Sequence, residues 1–245
     1  MRAFLFFLLS AANFLAMGQN RMKITNKLGG TYSRTQEEYY ILAGGNIKDG
    51  SYKIVQGNKT VVSGFYDHGQ KDSLWQFYSY NGTIAAKKWY TRGEKTGKWE
   101  FFTTAGEPDW SYDFVTGTGL NLKDAETGDI KYDYQNDPGK WVHGKLDKAP
   151  IPLYGKAEWN GFAGRNLQYP EEAVNNRQQG IVTLGIVVDQ NGKAIDYTVI
   201  KSAGKALDNE TLRVYQLFSP EYIPGEKNGK KVIVKVPVDQ KFVAE

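Results

Sequence analysis

The chain has 245 residues, a formal net charge of +4, 14% aromatic residues, 27 glycines and no cysteine. Its length suits two modest domains, and the glycines and aromatics favour strands and tight turns over helix bundles. The small charge, spread without a long basic run, leaves no footprint for nucleic acid, and the missing cysteines exclude disulfides, thiolate metal sites and thiol catalysis.

The chain starts MRAFLFFLLSAANFLAMGQN, where Arg2 precedes an apolar run from Ala3 to Met17. A short basic start, an apolar stretch and small residues predict a secretory signal over residues 1–18, cleaved after Gly18. The run is short of the roughly 20 residues that cross a bilayer, so an uncleaved inner-membrane anchor facing the periplasm is the alternative. Its LAMG ending resembles a lipoprotein signal, but Gln19 stands where the lipidated cysteine would be, and no lipid anchor is expected.

After an N-terminal segment, 19–38, residues 39–115 repeat with a period of 24. Trp75-Gln76-Phe77-Tyr78 returns as Trp99-Glu100-Phe101-Phe102, Phe65-Tyr66 as Trp89-Tyr90, Gly69 as Gly93, and Gly82 as Gly106. A degenerate copy starts at Asp49, and GKWVHGKL around Trp141 reads as a decayed one. Aromatic strands alternating with glycine turns predict successive hairpins in an antiparallel β-meander, stacked because no single unit buries its own face. The pattern resembles MORN-type repeats, including the variant of antitoxin-like proteins. Trp75, Trp89 and Trp99 are read as core, with a ringed binding face as the alternative.

From 116 to 158 the periodicity fades into an irregular region and linker. Gly117-Thr118-Gly119 lacks the third glycine of a phosphate loop and reads as a turn. Ala149-Pro150-Ile151-Pro152 reads as a stiff connector marking the domain boundary.

The last unit, 159–245, is strongly patterned. Pro170 followed by Glu171 and Glu172 predicts a short helix to about Gln178. Val182, Leu184, Ile186 and Val188 alternate along a strand, Asp189 to Gly192 supply a hairpin turn, and Ile195, Tyr197 and Val199 line the return. Asp208 is the expected N-cap of a second helix, with Leu207 and Leu212 as its hydrophobic staple, Val214, Leu217 and Phe218 on the buried stripe, and Pro220 at the end. A final strand runs from Lys231 to Asp239. Its lysines and Pro237 predict an exposed sheet edge.

These residues resemble the TonB C-terminal domain family. The likeness spans Trp159 to Phe242 and includes the Tyr-Pro helix start, the Asn-Gly turn, the Ser-x-Gly before the second helix, and the Pro-Gly and Asn-Gly steps before the last strand. It implies an α+β fold, with two helices on a three-stranded antiparallel sheet following the MORN-like meander. It also implies a periplasmic domain that takes the TonB box of an outer-membrane receptor as an added strand. By that resemblance the partner-binding residues are Gln168, Tyr169 and Pro170 before the first helix and Lys231, Val232, Ile233, Val234, Lys235 and Val236 on the last strand. Asn166 and Leu167 depart from the family pattern, which commonly has Gln and Pro there. For Gln168, Tyr169 and Pro170 a purely structural helix start is the competing reading. Strand addition agrees with the chemistry of a free edge, where main-chain bonds supply affinity and side chains supply register.

The expected function is thus non-catalytic protein binding in the periplasm. A membrane-anchored energy transducer for outer-membrane transport is the alternative, weakened by the short apolar start and the lack of a proline-rich spacer. A homodimer through the last strand is the competing use of the same edge. An envelope hydrolase using Glu171-Glu172 or Asp109 lacks any nucleophile, base and orienting set, and His68 and His143 read as solvated turn residues. No cofactor and no metal are expected.

Overall fold

The computed structural model describes residues 21–28, 34–121 and 130–243. The expected signal, 1–18, lies outside the described residues. The chain divides into two compact units, Met1–Gly119 and Leu120–Glu245. The division falls well before the proline connector that the sequence suggested as the boundary.

The first unit is a nine-stranded meander in which every strand pairs with its neighbours in sequence. Its strands are β1 (Arg21–Leu28), β2 (Thr35–Leu42), β3 (Lys48–Gln56), β4 (Lys59–Asp67), β5 (Gln70–Tyr78), β6 (Ile84–Thr91), β7 (Glu94–Phe102), β8 (Pro108–Asp113) and β9 (Thr118–Leu120). The meander begins earlier than expected, since β1 and β2 turn most of the N-terminal segment into sheet.

The 24-residue period has a physical cause. Trp75 Nε1 donates to the Phe65 carbonyl at 3.1 Å, and Trp99 Nε1 to the Trp89 carbonyl at 2.9 Å. At one end of the sheet Asp49 accepts the His68 amide at 3.0 Å, as Asp72 accepts that of Arg92 at 3.0 Å. Each tryptophan fastens its strand to the preceding one, and an aspartate ties each of the turn residues His68 and Arg92 to the hairpin before it, so geometry fixes the 24-residue spacing of the tryptophans and of those turns.

Rings of Tyr52, Trp75, Tyr90 and Trp99 follow one another across one face, with centroids 5.2, 6.3 and 5.1 Å apart. Lysines lie over them. Lys71 Nζ is 4.8 Å from the Trp75 ring and 5.1 Å from that of Tyr90, and Lys88 Nζ is 5.5 Å from that of Trp99. Their stems cover the rings while the ammonium groups meet the negative π faces. Trp75 and Trp99 are core, as expected. Trp89 is not: Ala86, Lys88 and Tyr90 take the packed face of β6, and alternation turns Trp89 outward, 42% exposed.

In the second unit β10 (Lys131–Asp137), β11 (Lys140–Lys145) and β12 (Ile151–Pro152) are followed by α1 (Lys156–Asn166), α2 (Glu171–Asn175), β13 (Gly180–Val188), β14 (Ala194–Lys201) and α3 (Lys205–Phe218). After them come β15 (Tyr222–Ile223), β16 (Glu226–Lys227), β17 (Lys230–Lys231) and β18 (Ile233–Phe242). The main sheet has five antiparallel strands in the order β11-β10-β18-β13-β14.

Several expectations change here. The unit is α+β as expected, but among its described residues three helices accompany a five-stranded sheet where two helices and three strands were anticipated. The supposed irregular region holds β9 to β12 and the start of α1. The decayed repeat around Trp141 is β11, in the C-terminal sheet and not the meander. His143, expected in a turn, sits on β11 with Nδ1 2.8 Å from Asp133 Oδ1.

Val182, Leu184, Ile186 and Val188 are fully buried with Leu207, Tyr215, Tyr222 and Phe242. The α3 stripe is displaced from expectation: Val214 and Tyr215 are buried while Leu217 is 56% exposed. Asp208 lies inside the first turn of α3, with Gly204 as N-cap, and reaches back to accept the Ala203 amide at 3.1 Å and the Ser202 hydroxyl at 2.6 Å. Trp159 of α1 stacks on Tyr215 of α3 at 4.3 Å, which anchors a helix the sequence did not announce.

Candidate functional site

The last strand is not the sheet edge that its lysines and Pro237 predicted. β13 pairs with it without a register shift from Val188↔Val234 to Gly180↔Phe242. On its other flank β10 pairs with it at Ile233, Val234 and Lys235. Among the described residues no strand pairs with that flank from Val236 to Phe242. Pro237 explains the change: a proline gives a ladder no donor, and the doubly flanked run ends two residues before it. Pro237 therefore marks where β18 becomes an edge, not that the whole strand is one.

The nine expected binding residues fall into different settings. Lys231 belongs to β17, paired with Glu226 of β16. Val232 is 4% exposed and Val234 fully buried, so both are core. Ile233 and Lys235 are half-buried beneath the β10 pairing. Val236 alone belongs to the open run, with its side chain against the main core.

Gln168, Tyr169 and Pro170 lie by the far end of that run. The Tyr169 ring meets Phe242 edge-on at 5.7 Å, and its hydroxyl donates to the Gln178 carbonyl. The Gln168 amide donates to Glu210 Oε1 at 2.6 Å. Arg213 of α3 holds Glu210 through Nε at 2.8 Å and also donates to the Asn166 carbonyl. Its pKa is raised, first by the hydrogen bond to Glu210 and then by that carboxylate's charge, against the cost of burial. Tyr169 thus has structural work, while the Gln168 side chain is exposed.

Along the open run the faces alternate. Val236, Val238 and Phe242 point to the core, and Pro237, Asp239 and Lys241 are exposed. Asp239 Oδ1 accepts the Thr183 hydroxyl at 2.6 Å. An incoming strand would find apolar neighbours on one face and charged ones on the other, with main-chain groups between that no strand pairs among the described residues, the Lys241 carbonyl accepting from Gln240 Nε2 at 2.9 Å. The missed feature was the length of the site. Only the β10 pairing, between residues about a hundred apart in sequence, defines it.

In the other unit, ligand atoms of Asp49, Asp67 and His68 lie within 4.8 Å of one another. The Arg21 guanidinium contacts Asp49, and His68 Nδ1 is 2.6 Å from Asp67 Oδ1, so the group reads as a closed ion-pair network. The hydrogen bond to Asp67, which accepts it, then that carboxylate's charge and that of Asp49, raise the His68 pKa above its ordinary 6.5. A raised pKa means that the interaction is complete below 6.5 and is lost as pH rises through the folded value. An NMR titration is expected to place the His68 midpoint above 6.5, and Asp67→Asn to lower it.

Residues 165–243 match the family model described as Gram-negative bacterial TonB protein C-terminal. This supports a TonB-type domain, of a non-enzymatic domain family, over those residues. The span takes in the last two residues of α1 and runs through α2 and β13 to β18, and leaves out β10 and β11. Comparison with curated proteins returned no match. Among solved structures, two of S. aureus TarM, one a mutant in complex with fondaparinux, alpha-GlcNAc-glycerol and UDP, overlap this chain at 11% identity and a TM-score of 0.25. The overlap covers 49% of this chain and 25% of TarM, too slight to bear on fold or activity. No helix among the described residues is long and apolar enough to cross a membrane.

Proposed function

We propose that this chain is a periplasmic binding protein whose C-terminal unit takes an extended segment of an outer-membrane protein as an added strand along Val236–Phe242 of β18. One observation carries the reading: β18 is paired with β13 from Val234 to Phe242 but with β10 only at Ile233–Lys235. The remaining main-chain groups form a template on the open flank. Among the described residues no strand pairs with the outer flank of β14 either, yet its ladder to β13 is broken by two register shifts. Bulges of that kind twist an edge away from partners, whereas the β13–β18 ladder is regular. The TonB-type match spans this strand, and the exposed Gln168, next in sequence to the Tyr169 that meets Phe242, would contact the partner past the strand's end.

The test uses the alternation of main-chain groups. Consecutive residues of a strand direct their N–H groups to opposite flanks, so of Val238 and Asp239 one donates toward β13 and the other toward the open side. Val238→Pro and Asp239→Pro are made singly in the full chain, with a photo-cross-linking residue at Lys241 and outer-membrane vesicles as target. The variant that keeps its stability is expected to lose about tenfold in adduct yield, the worth of one main-chain hydrogen bond. Equal yields from both variants and the parent would sink the reading.

A further inference from the structure

The β10 strand sits where a partner strand would continue along β18, and it is held there lightly. It meets β18 at Asp133↔Lys235, Tyr134↔Val234 and Gln135↔Ile233, against six pairs with β11. Of its residues only Tyr134 is buried, at 5% exposure, packed with Val232 and Val234. The hairpin has a separate root. Asp147 donates its amide to the Glu226 carbonyl at 2.8 Å and accepts from Lys227 Nζ at 3.1 Å, and Lys148 pairs with Glu226 at 2.8 Å. A strand tied at the root and meeting β18 through the buried ring of Tyr134, the half-buried Tyr132 beside it and Lys235 lying 5.2 Å from the Trp141 ring of β11, can leave the sheet without unfastening the rest.

We propose that β10 is an in-chain competitor for the flank of β18, and that its sequence is a template for the partner. With β10 in place the receiving run is Val236–Phe242, and with β10 displaced it extends to Ile233. The displacing segment carries an aromatic residue to fill the place of Tyr134 against Val232 and Val234. Beside that residue it carries an acid at the register position opposite Lys235, where Asp133 stands in β10. This rests on the strand-addition reading. An in-chain strand competes at an effective concentration in the millimolar range, so a partner must offer more contacts than β10 does.

The chain has no cysteine, so Gln135→Cys with Ile233→Cys admits a single disulfide, which locks β10 onto β18. Tyr134→Ala loosens it. The probe is a fluorescent synthetic peptide copying residues 130–137, added to the full chain. It is expected to bind Tyr134→Ala at least about tenfold more tightly than the natural chain, and the oxidised double variant least. Amide exchange over β10 is expected to run about tenfold or more faster than over β13 in the natural chain, and to slow on oxidation. Equal peptide binding to all three proteins would place the peptide elsewhere and overturn the proposal, as would no binding to Tyr134→Ala. If Tyr134→Ala does not fold, exchange in the natural chain still decides: β10 and β13 opening together would make β10 a permanent strand. The strand-addition reading fails separately, through the proline variants of Val238 and Asp239.

Discussion

Val234→Pro is expected to destabilise the C-terminal unit strongly, although the same change in a true edge strand would be mild. Val234 is fully buried and pairs with Val188 on one side and Tyr134 on the other. Whichever flank its N–H faces, proline deletes a ladder bond between two strands and leaves a buried carbonyl without its donor. The expected cost is about 3 kcal/mol or more. Domains are stable by only about 5–15 kcal/mol, so the melting midpoint should fall by about 10 °C or more. Near-UV circular dichroism reads the melt, and amide exchange over β13 assigns it to this unit. An unchanged midpoint would mean that the Val234 N–H makes no ladder bond to either neighbouring strand in solution.

The contrast with position 239 or 238 shows what was legible in the sequence. Alternating valines and the lysines of the last strand were visible because strand periodicity is local. Pro237 was visible too, and β18 keeps β13 but loses its pairing with β10 two residues before it. The β10 pairing was not, because contacts such as Tyr134 with Val234 join distant segments and leave no spacing in either one. KYDYQND carries only two alternating tyrosines among polar residues, so β10 gave no strand signal of its own. The first helix was hidden for a different reason. Gly161 and Gly164 lower its propensity, and the stacking of Trp159 on Tyr215 of α3 supplies the compensation. The meander was legible because its fastenings recur between one hairpin and the next. Even there the identity of an aromatic did not reveal its face: Trp89 shares its residue type with Trp99 but lies on the opposite side of the sheet.

Gly64→Ala is expected to damage the meander more than an alanine at a glycine whose backbone forbids side chains. Gly64 sits in β4 with ordinary dihedral angles, yet a Cβ there would lie 2.3 Å from Trp75 Cδ2 and 2.4 Å from Cε2. The indole cannot slide aside. Its Nε1 is bonded to the Phe65 carbonyl at 3.1 Å, and the rings of Tyr52 and Tyr66 stand 5.2 and 5.1 Å away. Either β4 shifts or Trp75 leaves a site where it is 2% exposed. Overpacking costs about 1–3 kcal/mol and loss of a buried tryptophan about 3–5 kcal/mol, so the expected destabilisation is about 3 kcal/mol. Gly57 is the control. Its φ is +59°, but nothing lies within 4 Å of a Cβ placed there, so Gly57→Ala meets only the left-handed backbone penalty of about 1–2 kcal/mol. Amide exchange over β3 to β5 separates the cases. If Gly57→Ala accelerates it as much as Gly64→Ala, the tryptophan does not lie on the glycine. The larger effect at Gly64 would instead show that the repeat is held by an indole lying flat on backbone, with no side chain admitted between.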